Sequence, residues 1–344
     1  MLKKAAKFMN LYNSYVVSCF FARTPFVRMI PSDKCNLKCK YCWQRREESY
    51  EMTMEEFERH LAKAKKLNVG IITFLGGEPM AWPLIFDAIQ KCTDKNVLTD
   101  MTTNGTLLDD KTIQQLGTAG LDYLNISVDG MNPSVVTAKN SIFRKDILHL
   151  LKEAKKRFRM HFRINSVIYK NNFEEIKAMI NFAKDQNIQI SLGYIVEPLA
   201  KQQNEGSGIH FRLEDKQLLD EIIDYIVNKK RQGYPIIDPE EYFKNVYKYL
   251  RGEKFWNCNY PTKYGWVNIS PDGRIRSCTK KMDELDLRYD ELDINMIKNL
   301  REVLAQKTAV CNVHCYSNCA YDSFYYTHHK FQMLKKVLNR IRLK

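Results

Sequence analysis

Three thiols stand within eight residues of this 344-residue chain: Cys35, Cys39 and Cys42, spaced C-x3-C-x2-C. Thiolates favour soft metal centres. A loop following an apolar run can turn all three onto one centre, and here Phe26–Ile30 is such a run. Iron–sulfur clusters are usually held by four thiolates, so three leave one iron open to a small molecule. A zinc knuckle, or three buried cysteines with no ligand, are the alternatives on spacing alone. A second set lies far downstream: Cys258, Cys278, Cys311, Cys315 and Cys319. Clustering of this kind points to metal ligation rather than a disulfide framework. Cys19 and Cys92 stand alone and fit plain core positions.

The elements that must position these thiols alternate. Strands are expected at Phe26–Ile30, Gly70–Leu75, Val97–Met101, Tyr123–Val128, His161–Ile168 and Ile188–Ile195. Helices are expected at Thr53–Leu67, Pro83–Lys91, Asp109–Leu116, Phe143–Lys156, Phe173–Asp185 and Leu213–Lys229. Thr53 and Glu56 form a capping box for the first of these. Strand–helix alternation over so long a stretch means parallel strands with covering helices. The fold class is therefore α/β: a partial (β/α)6 parallel barrel, TIM-like but open. Sites in such sheets lie at the carboxyl ends of the strands. Four polar clusters fall there: the cysteine loop, Gly76-Gly77-Glu78-Pro79, Thr102-Thr103-Asn104-Gly105 and Ser127-Val128-Asp129-Gly130. Glycine lets backbone approach a ligand without a Cβ in the way.

Residues 200–208 are polar and aperiodic, the pattern of a loop that could cover a substrate. After a helix near Glu240–Leu250 the alternation stops. Tyr264–Ser270 and Arg274–Cys278 then form a hairpin around Pro271-Asp272-Gly273, followed by a helix near Ile294–Gln306. The expected division is an N-terminal helix (1–24), the barrel (25–235), a small α+β cluster-binding domain (240–325) and a C-terminal helix (326–344).

The formal net charge is +14, which favours anionic partners and says nothing of fold. No apolar run reaches the roughly 18–20 residues of a membrane span. Met1–Phe21 lacks a cleavage site and fits an amphipathic helix rather than a signal peptide. Residues 331–344 have the same basic, amphipathic pattern. Such helices lie on anionic membranes; docking on the barrel with a solvated basic face is the other reading. No RNA-binding module or aromatic–basic interleave is evident, which argues against nucleic acid. Reduced thiols point to the cytoplasm, with a peripheral position at the inner membrane face if the helices bind lipid.

The cysteine spacing, the aromatic Tyr41 before the third thiol, and the three downstream turns together resemble the signature of the radical S-adenosylmethionine (SAM) superfamily. The resemblance implies a four-iron four-sulfur cluster on Cys35, Cys39 and Cys42, with SAM chelated at the open iron. It implies that Gly76, Gly77, Glu78 and Pro79 meet the SAM amino group. Thr103, Asn104, Ser127 and Asp129 would suit the ribose and the methionine carboxylate. Lys139 stands nearest to where relatives often place an arginine, supplying charge without a bidentate fork. Arg163 and Asn165 are further candidates. Polar solvation of strand ends is the plain alternative for each.

The downstream cysteines resemble the SPASM domain, or its shorter twitch form, which binds auxiliary four-iron four-sulfur clusters. Cys258 and Cys278 with two of Cys311, Cys315 and Cys319 are the expected ligands; a structural zinc site is the alternative. The implied reaction is one-electron reduction of SAM to a 5′-deoxyadenosyl radical, which takes hydrogen from a substrate. The auxiliary cluster would carry an electron or bind substrate. The expected partners are a flavodoxin- or ferredoxin-type donor and a peptide, natural-product or lipid-linked substrate. Residues 1–24 leave no room for a peptide-recognition domain before the barrel, which weighs against a peptide. A non-catalytic iron–sulfur or zinc protein, for electron transfer or scaffolding, is the rival class.

Overall fold

The structure is a computed structural model. It describes residues 2–20, 26–42, 44–46, 49–195, 208–253, 266–278 and 284–309, with Tyr316, Ser317, Asn318, Tyr321, Tyr325 and His329. Six parallel strands appear where the hydrophobic runs place them: β1 (Phe26–Met29), β2 (Ile71–Phe74), β3 (Leu98–Thr103), β4 (Tyr123–Ser127), β5 (His161–Ile168) and β6 (Ile190–Tyr194). Between them run α2 (Met54–Lys66), α3 (Ile85–Asp94), α4 (Asp110–Ala119), α5 (Ile147–Phe158) and α6 (Phe173–Asp185); α7 (Lys216–Arg231) follows β6. Thr53 and Glu56 close the capping box on α2. The sheet is open, an α/β partial barrel. The expected start of α5 at Phe143 is displaced to Ile147, because Asp146 takes a left-handed conformation (φ 67°) that breaks the helix.

The two faces of the sheet differ. Val27, Met29, Ile72, Phe74, Met101, Leu124, Ile126, Ile164 and Leu192 belong to the apolar core. Strand residues alternate sides, so the register puts a polar set on the opposite face. Arg28 lies beside Thr73 and Thr73 beside Asp100. Asn125 lies beside Arg163, and Asn165 lies between Ser127 and Ser191.

A nineteen-residue helix, α1 (Leu2–Phe20), packs beneath the strands at their amino ends. Its Lys7 is buried, and Nζ donates to Asp122 Oδ2 at 2.7 Å, Gly120 O at 2.9 Å and Thr93 Oγ1 at 3.1 Å. Gly70 allows the close approach: a Cβ there would lie 2.8 Å from Leu11 Cα. At Lys7, then, the basic character of α1 serves docking, not a lipid surface. Among the described residues no helix is long and apolar enough to cross a membrane.

The hairpin forms, but it does not stand apart. β7 (Trp266–Ile269) pairs parallel with β1, β8 (Arg274–Arg276) pairs antiparallel with β7, and an unanticipated β9 (Glu284–Arg288) pairs with β8. The nine strands run β6-β5-β4-β3-β2-β1-β7-β8-β9 in one sheet. The single helix expected at Glu240–Leu250 is two, α8 (Glu240–Lys244) and α9 (Val246–Leu250), parted at Asn245 where ψ opens to 0°. Its amide Nδ2 donates to Tyr321 at 3.0 Å. α10 (Ile294–Ala309) closes the described run. Tyr316 stacks on Tyr242 with ring centroids 4.9 Å apart, and Asn318 Nδ2 donates to Ser191 Oγ on β6 at 3.2 Å. All but the last residue of the loop expected at 200–208, the thiols of Cys258, Cys311, Cys315 and Cys319, and the helix expected at 331–344 lie outside the described residues.

Candidate active site

The loops after β1, β2 and β3 meet at the carboxyl edge of the sheet. Gly77 N–H donates to Ser32 O at 3.1 Å and Glu78 N–H to Lys34 O at 2.9 Å, so the GGEP turn lies directly on the segment leading into Cys35. A Cβ on Gly77 would fall 1.9 Å from Lys34 O, and one on Gly76 2.2 Å from Ser32 O. Gly76 also sits at φ 140°. These glycines are required by the protein's own backbone, whatever ligand approaches.

Glu78 is buried, and its carboxylate is fully engaged within the chain. Oε1 accepts from Met80 N–H at 3.1 Å and the Thr103 hydroxyl at 2.6 Å; Oε2 accepts from Asn104 N–H at 2.7 Å. Burial pushes its carboxyl up, against the pull of these bonds. Glu78 therefore locks the second turn to the third. Pro79 opens a short 3₁₀ turn behind it, capped by the same carboxylate. Asn104 carries the lock onward: its Nδ2 donates to Asn36 Oδ1 at 2.8 Å and lies 3.8 Å from Cys35 Sγ. Asn36 in turn donates to Thr106 Oγ1 at 2.7 Å.

The far end of the cysteine loop is held from β4 and β5. Lys40 N–H donates to Val136 O at 3.0 Å. Cys39 Sγ lies 3.3 Å from Thr137 Oγ1, which donates to Asp129 Oδ2 at 3.4 Å. The Tyr41 hydroxyl donates to the same carboxylate oxygen, while Oδ1 accepts from Val167 N–H at 2.9 Å. Lys139 Nζ stands 4.0 Å from Asp129 Oδ2 and 5.1 Å from the centre of the Tyr41 ring. Burial alone would lower the Lys139 ammonium; Tyr41, Asp129 and Cys39 outweigh it and hold it well above its ordinary value. Burial and Asp129 push the Tyr41 phenol up. Asp129 and Lys139 thus form a charge-balanced post against which Tyr41 and Cys39 rest.

The three thiols are partly exposed and in no disulfide. Cys42 N–H donates to Cys39 O at 3.1 Å, and Leu37 N–H reaches Cys35 Sγ at 3.4 Å. Burial raises the Cys35 thiol, with Leu37 N–H working against it; a bound cation inverts that balance. Among the described residues no three cysteine, histidine or carboxylate side chains are gathered closely enough for a single metal ion. The donor set is nonetheless three thiols on one open loop, which suits a cluster that brings its own spacing. The polar sheet face carries further polar groups. Buried Asn165 Oδ1 and Thr73 Oγ1 have no hydrogen-bond partner among the described residues. Ser127 and Arg163 share that face. Cys278 follows β8 and is partly exposed.

Comparison with known proteins bears on the central part of the chain. Residues 29–183 match the Radical SAM superfamily. These residues thus form a radical SAM domain. A probable GTP 3′,8-cyclase of Methanothermobacter marburgensis is 28% identical over 301 residues, 83% of this chain and 94% of that protein. The PqqA peptide cyclase of Granulibacter bethesdensis is 28% identical over 262 residues, 71% of this chain and 65% of that protein. Among solved structures, native anSMEcpe with bound AdoMet aligns at TM-score 0.62, 16% identity, over 91% of this chain and 99% of that one. SuiB of Streptococcus suis bound to SAM aligns at 0.60 and 18%, over 83% and 70%. At such identities these two speak for the fold. This radical SAM protein is an enzyme, using SAM and a four-iron four-sulfur cluster. Sequence motifs located its cysteines and turns. They did not reveal Asn36, Thr106 and Thr137, which no spacing distinguishes from solvated polar residues.

Proposed function

We propose that this radical SAM enzyme abstracts hydrogen from a polar organic substrate lying over the polar sheet face, with SAM between it and the cysteine loop. The observation carrying this reading is the triple lock of Cys35 loop, GGEP turn and TNG turn through Glu78 and Asn104. Cys35, Cys39 and Cys42 hold the cluster in this reading. When bound, the cluster supplies a low-potential electron that splits SAM to methionine and a 5′-deoxyadenosyl radical. The chain's own work is placement. Glu78 fixes the turn on which the SAM amino group would rest. Asp129 keeps the Tyr41 ring upright beside the thiols. Ser127 and Asn165 present a hydroxyl and an unpaired carbonyl oxygen to ribose or substrate.

Cys278 and Cys258 with two of Cys311, Cys315 and Cys319 hold an auxiliary cluster. Its support is the cysteine count and the position of β7–β9 next to β1, which sets Cys278 on the same sheet as the first site. The substrate is a peptide, natural product or other metabolite. The names of two relatives favour ring-forming chemistry. A nucleotide is the second reading: the relatives aligned over most of their length are GTP 3′,8-cyclases, and the net charge of +14 suits a phosphorylated ligand.

Anaerobically reconstituted protein should release 5′-deoxyadenosine from SAM under dithionite. Cys35→Ala/Cys39→Ala/Cys42→Ala protein should release none while retaining the iron and sulfide of one cluster. Loss of all iron in that triple variant would remove the auxiliary cluster. Deuterium transfer from labelled GTP into 5′-deoxyadenosine would select the nucleotide, and its absence would return the choice to the other classes.

A further inference from the structure

Asp33 lies two residues before the first thiol, and Arg276 lies two residues before Cys278. Both side chains are 2% exposed. They are 243 positions apart in the chain, yet they meet as a two-pronged ion pair: Arg276 Nη1 donates to Asp33 Oδ1 at 3.0 Å and Nη2 to Oδ2 at 2.7 Å. Arg276 Nε reaches Glu284 on β9 at 3.1 Å. A planar guanidinium sets both the distance and the tilt of its partner, which an ammonium does not.

The segment it grips is the junction of the active site. Asp33 N–H donates to Ser49 Oγ at 2.9 Å, and Asp33 O accepts from Arg46 N–H at 3.1 Å. On either side, the carbonyls of Ser32 and Lys34 carry the GGEP turn. Holding a charge pair inside protein gains little net stability over apolar packing. What the pair supplies is registry between two segments whose strands, β1 and β7, already lie side by side.

We propose that Arg276 is a positioning residue for the thiol loop. The docked hairpin fixes Asp33, Asp33 fixes the entry to Cys35, and the backbone leading to Cys278 is thereby coupled to the first cysteine site. By reciprocity, whatever orders the hairpin also orders the Cys35 loop, and the reverse. The consequence for catalysis rests on Cys35, Cys39 and Cys42 being cluster ligands; the coupling itself does not.

The test is therefore run first on the full metal-free chain. Iodoacetamide alkylation of each cysteine is followed by mass spectrometry in wild type, Arg276→Gln, Arg276→Lys, Asp33→Asn and the Asp33→Asn/Arg276→Gln double variant. Cys92, wholly buried in α3, reports general opening. Cys35 should react about tenfold faster in either single neutral variant, which corresponds to about 1.4 kcal/mol of local opening. The double variant should be no worse than the singles, since the two act as a unit, and Arg276→Lys should fall between. Cys92 should stay protected throughout. An unchanged Cys35 overturns the proposal, and so does a parallel rise at Cys92, which would make the pair merely structural. In reconstituted protein, Arg276→Gln should shift the midpoint potential of the SAM-binding cluster and alter its spectral response to SAM, with partial rescue by Arg276→Lys. No shift there would also sink the idea. Protein that takes up no iron at all would end the functional reading, and the alkylation result would stand by itself.

Discussion

Glu78→Gln isolates the lock between the second and third turns. The carboxylate has two acceptor oxygens serving three buried donors, at 3.1, 2.6 and 2.7 Å. A glutamine has one acceptor oxygen. If it replaces Oε1, its NH₂ group confronts Asn104 N–H; if it replaces Oε2, it confronts Met80 N–H. The Thr103 hydroxyl can turn away, whereas a backbone N–H cannot. One stranded buried donor, plus the lost charge on the remaining bonds, costs roughly 2–3 kcal/mol. Asn104 bears most of it, and Asn104 is what touches Asn36 and Cys35. About half of that cost appearing in the ligand-binding conformation would weaken SAM roughly tenfold. Urea unfolding of the metal-free chain gives the first quantity, and equilibrium dialysis of SAM against the reconstituted enzyme gives the second. Wild-type stability would refute the donor count. A destabilised variant with unaltered SAM affinity would refute the link from Glu78 through Asn104 to the site.

Gly77→Ala puts a methyl 1.9 Å from Lys34 O; the turn must lift off the thiol loop, at about 1–3 kcal/mol, and iron uptake in reconstitution should fall with the denaturation midpoint. Burial, opposed by Asp290, holds the His60 imidazole down at about 4. An unfolded histidine takes its proton near 6.5, so the folded state is fully favoured above that pH and loses about 3 kcal/mol as pH falls from 6.5 towards 4; His60→Phe should flatten that slope in acid denaturation curves. Lys7→Met leaves Asp122 buried with Thr99 N–H at 3.0 Å as donor but no cation, which should cost about 3–5 kcal/mol and expose α1 to limited proteolysis.

The barrel was legible because each of its parts carries a local signal. Buried parallel strands such as Ile71–Phe74 are apolar runs, α2 announces itself by Thr53 and Glu56, and the turns at Gly76, Asn104 and Asp129 end strands where sites form. What stayed hidden is non-local. Nothing in Trp266–Ile269 says that it will pair with β1 rather than found a sheet of its own; that choice is made by two edges meeting after the chain has collapsed. β9 does alternate charged and apolar residues, but it is only five residues long and rich in Glu and Asp, which strands disfavour, so it did not stand out from a loop. At the break between α8 and α9, Asn245 bonds Tyr321, a partner far along the chain that no local pattern announces. The same holds at the site. A glycine or a cysteine triplet is visible because its chemistry is rare. Asp33, Asn36, Thr137 and Arg276 are common polar residues whose roles exist only once their partners arrive.

The thiol loop is held chiefly by its backbone. Ser32 O and Lys34 O accept from the GGEP turn, Lys40 N–H donates to Val136 O, and Asp33 O accepts from Arg46 N–H farther along the same loop. Main-chain pinning does not depend on the side chains at positions 34, 38 and 40, which are exposed lysines. They are free to serve charge and solubility while the thiols between them keep their places. Three side chains enter the pinning as well: Asp33, gripped by Arg276, Tyr41, gripped by Asp129, and between them Asn36, which bonds Asn104 and Thr106. A loop fixed at both ends but half-exposed in between can admit a large inorganic ligand without the barrel rearranging. The flexibility needed for ligation is confined to the few residues whose sulfurs must move.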